Sequence, residues 1–197
     1  MDDENTKMLK FLTEGLLGFK NVDTNLKELY VKHFLIAMKE YNLKSKVQIC
    51  HFLAQVYAET SGLQRLKEID KNNEGYAYLL GKGVEIEGVM IKNETLDDCK
   101  NYCGKGPIQL TQKGNYFFYG KMINLDLLKN PDLAREPEYM FKIALTYWNY
   151  KGCNKEEGSD DDSVRRITLI IQGGSSQIEK RITAFRNMFN AYDKCFN

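Results

Sequence analysis

The stretch Gly104-Lys105-Gly106-Pro107-Ile108-Gln109-Leu110-Thr111 is the most informative part of this chain, together with two glutamates that precede it, Glu59 and Glu68. Acid–base cleavage of a glycosidic bond requires one carboxylic acid and one carboxylate on opposite sides of the scissile bond. A glycine- and proline-flanked run that ends in small polar groups suits a groove wall that holds sugar hydroxyls. Carboxylate pairs alone are weak indicators, because the chain has 27 acidic residues. The combination indicates a carbohydrate-cleaving cleft.

The composition describes one soluble domain without a strong electrostatic field. The chain has 197 residues, of which 43% are hydrophobic, and is long enough to bury a core. Its net charge of +1 argues against nucleic acid or an anionic membrane as a partner. No apolar run approaches the roughly 20 residues that span a bilayer. We therefore expect a monomer that acts on a neutral polymer, with no cofactor.

The cysteines and the first residues restrict the chemistry further. Residues 1–5 lack the basic start and apolar core of a secretion signal, which predicts a cytosolic protein or a mature form with a new initiator. Five cysteines leave at least one thiol out of any internal pairing. A Cys153–Cys195 bond would tie down the C-terminus, and a Cys99–Cys103 pair competes with it. Cys50 lies in an apolar helical pattern, which predicts a buried thiol. The cysteine spacing, with only two histidines, argues against a metal site.

Helical periodicity dominates the chain outside residues 62–103. Apolar residues recur at three- and four-residue steps from Leu26 to Met38, after a possible capping box of Asn25 and Glu28. Another helix, apolar nearly all round and therefore buried, is predicted to begin at Pro137. The other predicted helices run from about Lys46 to Thr60, from Ser163 to Ile171, and from a capping box at Ser176 and Glu179 toward Ala191.

Residues 62–103 differ from the rest because they are rich in glycine. The alternating run at 84–89 (VEIEGV) predicts a small β-hairpin among loops. Helices around a short β-rich insertion predict an α+β protein, mainly α, with a cleft between the two parts. We expect a two-lobed single domain, residues 1–197. In it, residues 1–61 and 104–197 form a helical lobe and residues 62–103 form the other cleft wall.

The two glutamates lie in contrasting environments. Glu59 falls on the edge of the apolar stripe of the helix predicted from Lys46 to Thr60. Loss of water at that position favours the protonated form that a general acid needs. Glu68 lies in a polar run in which Arg65 and Lys67 favour its ionised form, as a base requires. Contrasting environments separate acid and base roles. Either residue taken alone would be an ordinary surface glutamate.

Several segments resemble family 19 glycoside hydrolases, the chitinases. Residues 54–63 (AQVYAETSGL) followed by Glu68 resemble that family's catalytic segment. Residues 104–111 followed by Asn115-Tyr116 are similar to its GRGPIQL(S/T)…NY segment, and residues 124–133 resemble its LDLLxNPDL stretch. The resemblance covers roughly residues 45–190. It implies a lysozyme-like fold and an inverting endo-acting hydrolase of β-1,4-linked N-acetylglucosamine polymers, with chitin as the partner.

The resemblance also implies roles for individual residues. Glu59 would be the general acid and Glu68 the general base, and Thr111 would supply the hydroxyl that helps hold the attacking water. The role of such a protein implies an extracellular location, or one directed to a cell wall or spore wall. The substrate-binding residues that the resemblance implies are Gln109, Thr111, Asn115, Tyr116, Gln172 and Arg181.

Three departures from the family pattern leave both carboxylates in place. Ala58 stands where many members have histidine, Gln172 replaces an asparagine, and Lys105 replaces an arginine and so loses its bidentate fork. A phage-type endolysin or muramidase that cuts peptidoglycan on the same fold is the alternative, and the nine-residue spacing occurs in both groups. The short step from Glu59 to residue 104 favours the chitinase. A non-catalytic sugar-binding module is a third hypothesis, against which both glutamates argue.

Overall fold

The computed structural model describes residues 3–71 and 73–196, and these residues are mainly helical. In this described part of the chain, a two-stranded antiparallel sheet follows the third of eight α-helices in sequence order. The predicted mainly helical α+β class is confirmed. The elements are α1 (Asp3–Gly15), α2 (Thr24–Glu40), α3 (Lys46–Thr60), β1 (Gly83–Ile86), β2 (Val89–Lys92), α4 (Leu96–Asn101), α5 (Lys113–Met122), α6 (Pro137–Tyr150), α7 (Asp161–Gln172) and α8 (Ile178–Phe196).

The chain divides into two compact units. The first unit comprises the residues up to Arg65 and those from Tyr147 onward, and the second comprises Leu66–Thr146. The sequence placed its second boundary after residue 103, whereas the second unit extends to Thr146. The reason is that α5 is bound to the hairpin. The Asn93 side chain accepts a hydrogen bond from the Lys113 amide at 2.9 Å, and Gly114 lies so close to Val84 that a Cβ on it would be 2.8 Å from the valine Cβ.

In the first unit, α3 is surrounded by other side chains on nearly every face. Residues 49–56 of this helix are all buried. The Phe52 ring lies 5.8 Å from the Phe34 ring and 5.4 Å from the Trp148 ring, and the Trp148 indole donates to Asn154 at 2.7 Å. Eight consecutive residues span two helical turns and so cover every face, and all eight are buried, including the polar His51 and Gln55. The helix α3 therefore forms the centre of this unit.

The observed ends of α3 agree with those predicted from the sequence, whereas the starts of α2 and α8 differ from the predicted ones. α3 begins and ends as predicted, because Ser45 and Gln48 form a capping box before it and Ser61 closes it in the left-handed conformation. The predicted capping box at Asn25 is wrong, since Asp23 caps α2 and Asn25 lies inside the helix. α8 begins at Ile178, two residues after the predicted Ser176. α1 was not predicted.

The second unit contains the predicted hairpin. β1 and β2 pair from Gly83 with Lys92 to Ile86 with Val89, so the turn has only two residues. Both of them, Glu87 and Gly88, have positive φ (51° and 80°), as a two-residue hairpin turn requires. The hairpin predicted from the alternating pattern at 84–89 is confirmed.

The five cysteines are free thiols. Neither of the predicted bonds, Cys153–Cys195 or Cys99–Cys103, is present. Cys50 is buried as predicted, and burial raises the pKa of Cys50 and that of Cys153 to about 12. Cys99 and Cys103 instead form a small apolar cluster with Leu79. The thiols therefore act as small apolar side chains in this fold.

Candidate active site

Glu59 lies in the last turn of α3, and the backbone that follows it fixes its position. The Thr60 hydroxyl donates to the Val56 carbonyl at 2.6 Å and accepts from the Leu63 amide at 2.8 Å, which satisfies groups that the helix end leaves open. Gly62 has φ 77°, and a Cβ there would lie 2.1 Å from the Leu17 carbonyl oxygen. Glycine is therefore required at the position where the chain leaves the helix.

The Glu59 carboxylate is held by two side chains of the same unit. Arg181 Nη2 lies 2.5 Å from Glu59 Oε1, and Gln172 Nε2 donates to the same oxygen at 3.1 Å. The Glu59 side chain is 17% exposed, whereas Arg181 is completely buried. Within the described residues both hydrogen bonds to this carboxylate end on Oε1. The second oxygen, Oε2, is therefore the one available to a ligand.

Arg181 connects Glu59 to a buried polar chain that the sequence analysis missed. Its Nη1 donates to Gln55 Oε1, and Gln55 Nε2 donates to the Thr168 hydroxyl at 3.3 Å. Gln55 and Glu59 are four residues apart, so they share one face of α3. Gln55 is the one polar side chain in the apolar run 52–56, one turn before the glutamate, and this was the signal that could have identified the chain. The expected apolar surroundings of Glu59 are in fact polar.

In the second unit, Glu68 is paired directly with the segment 104–111. The Glu68 amide donates to the Gly104 carbonyl at 2.8 Å, and the Gly106 amide donates to the Leu66 carbonyl at 2.9 Å. Lys67 and Lys105 form an antiparallel bridge between them. The Gly104 amide also donates to the Glu68 carboxylate, at 3.1 Å from Oε2. Glu68 and the segment 104–111 thus form one hydrogen-bonded structure.

Gly104 is surrounded so closely that no larger residue fits without movement. A Cβ on Gly104 would lie 2.8 Å from Gln109 Oε1 and 3.2 Å from Glu68 Oε2. The Gln109 amide group and the Glu68 carboxylate therefore lie against the same backbone position. Gln109 has φ 52° and donates from Nε2 to the Gly106 carbonyl at 3.0 Å, which fixes the direction of its side chain.

Thr111 and Asn115 continue from Gln109 through side chain-to-backbone bonds. The Thr111 hydroxyl donates to the Gln109 carbonyl at 2.7 Å, and Asn115 Nδ2 donates to the Thr111 carbonyl at 2.7 Å. All three side chains are partly exposed. The structure thus brings Gln109, Thr111 and Asn115 together near Glu68 in one unit, while Gln172 and Arg181 contact Glu59 in the other.

Tyr116 and Lys105 support this segment from inside. Tyr116 is completely buried, and its hydroxyl donates to the Cys103 carbonyl at 2.8 Å, beside Gly104. Lys105 is buried as well; it donates to the Asn101 carbonyl and lies 3.6 Å from Asp132. Burial lowers the pKa of Lys105. The resemblance implied that Tyr116 binds substrate, but in the structure this residue is buried and supports the segment 104–111 from inside.

Two tyrosines that the sequence analysis did not consider contact Glu68. The Tyr78 hydroxyl lies 2.5 Å from Glu68 Oε1, and the Tyr76 hydroxyl donates to the Glu68 carbonyl at 2.8 Å. Partial loss of water around the hydroxyl groups, more than any neighbouring charge, raises the pKa of both phenols, that of Tyr76 to about 12. Both phenols are therefore protonated at neutral pH and act as donors.

In residues 3–71 and 73–196, no three His, Cys, Asp or Glu side chains are grouped so that they could hold a metal ion. Among the same residues, none of the helices combines the length and apolar character needed to cross a membrane.

The family of this chain follows from comparison with known proteins. The model of glycoside hydrolase family 19, described as class I chitinase, matches residues 34–166. The chain therefore belongs to glycoside hydrolase family 19. The match includes Glu59, Glu68 and the segment 104–111, and it confirms the family that the sequence analysis named.

Individual relatives are similar over most of this chain. An endochitinase of Pisum sativum is 30% identical over 189 residues, which is 85% of this chain and 59% of that protein. An acidic endochitinase of Petunia hybrida is 32% identical over 166 residues, 72% of this chain and 60% of that protein. The chain thus spans about three fifths of the length of these two relatives.

The fold is similar to that of chitinase C from Streptomyces griseus HUT6037. The TM-score is 0.67 at 21% identity, over 98% of this chain and 78% of that chain. At this identity the likeness establishes the fold alone, and it agrees with the lysozyme-like fold expected from the sequence.

Proposed function

We propose that this protein is an endo-acting, inverting hydrolase of β-1,4-linked N-acetylglucosamine polymers, with chitin as its substrate. The observation that carries the proposal is the pairing of Glu68 with Gly104, which joins a partly exposed carboxylate to the segment most specific to the family. Membership of family 19 supports the reaction type.

Glu59 is the proposed general acid. It donates its proton to the glycosidic oxygen as the bond to the anomeric carbon breaks, and Oε2 is the oxygen available for that transfer. The carboxylate that remains is stabilised by the Arg181 guanidinium at 2.5 Å, since charge-assisted hydrogen bonds are the stronger ones. Arg181 itself is buried, so its proposed role is to position and stabilise Glu59 rather than to contact sugar.

Glu68 is the proposed general base. It takes a proton from a water molecule whose oxygen bonds to the anomeric carbon on the face opposite to the leaving group, so the configuration inverts. The Gly104 amide and the Tyr78 hydroxyl both donate to Glu68, and donors of this kind stabilise a carboxylate. The Thr111 hydroxyl donates to a backbone carbonyl, so its oxygen can accept a bond from the attacking water.

The chemistry of the proposed substrate matches the exposed polar groups. Gln109, Asn115 and Gln172 present amides, which both donate and accept hydrogen bonds, as N-acetyl and hydroxyl groups require. Each of these amides already makes one bond within its own unit, so its orientation is defined before a sugar binds. Preorganised donors and acceptors bind with a smaller entropic cost.

The direct test compares two substrates. Purified protein is incubated separately with chitin hexasaccharide and with peptidoglycan, and the products are identified by mass spectrometry. Shorter N-acetylglucosamine oligomers, with peptidoglycan left intact, support the proposal. Cleavage of peptidoglycan alone would favour the muramidase hypothesis, and no product from either would favour a non-catalytic sugar-binding protein.

A further inference from the structure

The Glu68 carboxylate is held at both of its oxygens, by donors of different kinds. Oε2 accepts from the main-chain amide of Gly104 at 3.1 Å. Oε1 accepts from the side-chain hydroxyl of Tyr78 at 2.5 Å. An amide donor is present whatever side chain a residue carries, whereas the hydroxyl is specific to tyrosine at this position. The short contact to Oε1 therefore depends on one substitutable atom.

The local fold places two phenols on the same glutamate. Tyr76 and Tyr78 lie at the start of a short 3-10 helix, Ala77–Leu79, which Leu79 anchors in the apolar cluster with Cys99 and Cys103. The Tyr76 hydroxyl donates to the backbone carbonyl of Glu68 at 2.8 Å, whereas that of Tyr78 donates to the carboxylate. One tyrosine therefore holds the main chain of Glu68 and the other holds its side chain.

The exposure of Tyr78 argues against a role in filling the core. Its side chain is 53% exposed, although a tyrosine stabilises a fold mainly through the apolar area that it buries. What it contributes is a hydrogen bond to a partly exposed carboxylate, and a glutamate side chain that lacks such a bond samples several rotamers.

We propose that Tyr78 is a positioning residue for the general base, which holds the Glu68 carboxylate in the orientation that receives the proton of the attacking water. This inference rests on the proposed function of Glu68. Each carboxylate oxygen has two lone pairs, so one on each oxygen remains free after Tyr78 and Gly104 have donated. The proton of the water moves to one of these, and the hydroxyl oxygen bonds to the anomeric carbon.

The test is Tyr78→Phe, which removes one oxygen atom. A hydrogen bond to a charged group that is partly exposed predicts a loss in kcat of about 10-fold, with KM changed by less than about 2-fold. The matched control is Tyr76→Phe, which removes the hydroxyl bonded to the main chain of Glu68 and leaves both donors to its carboxylate in place. This change should lower Tm and should cost less in kcat than Tyr78→Phe.

The outcomes separate this inference from the proposed function. A wild-type protein that does not cleave chitin oligosaccharides contradicts the function itself. A cleaving wild type with a Tyr78→Phe variant of unchanged kcat overturns the role of Tyr78 alone. If Tyr78→Phe melts near the assay temperature, Tyr78→Phe and Tyr76→Phe are compared with the wild type well below both melts. A kcat loss larger in Tyr78→Phe than in Tyr76→Phe supports the inference, and equal losses contradict it.

Discussion

Arg181 and Glu59 form an ion pair of 2.5 Å across 122 positions of sequence, and the arginine is completely buried. The same guanidinium donates to Gln55, so a single side chain of α8 binds two residues of α3 that lie one turn apart. The planar fork of arginine suits two acceptors at once, which the single ammonium group of lysine cannot match. The proposed acid is therefore oriented by a residue that no sugar can reach.

Removing that guanidinium should destabilise the first unit. Arg181→Met leaves a buried acceptor on Gln55 without its donor, so we expect the free energy of unfolding to fall by about 1–3 kcal/mol. The matched control is Arg186→Met on the same helix, whose ion pair with Asp161 is 64% and 41% exposed. That change should cost less than about 1 kcal/mol. Urea unfolding of both variants measures the difference, and equal losses would contradict the structural role of Arg181.

Gly104→Ala should disable the site while the fold survives. The new Cβ would lie 2.8 Å from Gln109 Oε1 and 3.2 Å from Glu68 Oε2, so both side chains must move. Because a displacement of about 1 Å near the reacting groups can cost 10²-fold, we expect a loss of that order in kcat/KM. Gly174→Ala is the control, since no heavy atom lies within 4 Å of its added Cβ. Similar activity in the two variants would exclude a close-packed site at Gly104.

The free thiols predict a simple pattern of reactivity. Four cysteines are buried and Cys195 is partly exposed, so a thiol reagent should modify Cys195 rapidly and the others slowly in the native protein. Unfolding without reductant should release all five thiols. A count of three after unfolding, with Cys153 and Cys195 joined in a peptide map, would show the disulfide that the structure lacks.

Acid should destabilise the protein in two separate pH ranges. Burial lowers the pKa of His51 from its ordinary 6.5, so the unfolded chain binds a proton first and stability falls as the pH drops through that value. The hydrogen bond from Arg166 lowers the pKa of Glu156 from 4.5 to about 2, so the stability from this pair is lost as the pH falls from 4.5 toward 2.

His51→Gln tests the first of these ranges. In the wild type, one proton taken up on unfolding corresponds to a slope of up to about 1.4 kcal/mol per pH unit between pH 7 and 5. The variant should show a flatter dependence of the unfolding free energy over this interval. Glu156→Gln should lower the unfolding free energy by a constant amount between pH 7 and 5 and so leave this slope unchanged. It should flatten the pH dependence only below about pH 4.5, where the wild type loses the stability of the Glu156–Arg166 pair. An unchanged slope in His51→Gln would contradict the assignment.

Local signals in the sequence predicted the elements that such signals control. α3 and the hairpin were found because a stop at Ser61-Gly62 and the alternation at 84–89 determine them locally. α5 was missed because Gly114, Gly120 and several aromatic residues give it low helix propensity. Packing against the hairpin stabilises this helix instead. Residues 113–122 alone carry no signal for that tertiary contact.

The residues of the candidate site likewise fall into two groups, those that a local sequence pattern identifies and those that depend on tertiary contacts. Glu59, Glu68 and Gln109 lie in segments with a recognisable pattern, so the sequence alone was sufficient to propose them as site residues. Tyr78 depends on a contact that exists only after the 3-10 helix has folded back on Glu68. The burial of Arg181 was also beyond sequence reasoning, since a charged residue is normally exposed unless the fold supplies its partners.

The most direct test follows the anomer formed when chitin hexasaccharide is cleaved, by proton NMR before mutarotation. The wild type should release the α-anomer first, because a water activated by Glu68 attacks opposite to the leaving group. Glu59→Gln and Glu68→Gln should each reduce the rate at least ~10²-fold, whereas Glu85→Gln on the exposed face of β1 should retain it. A β-anomer appearing first, or a Glu68→Gln variant as active as Glu85→Gln, would contradict the mechanism.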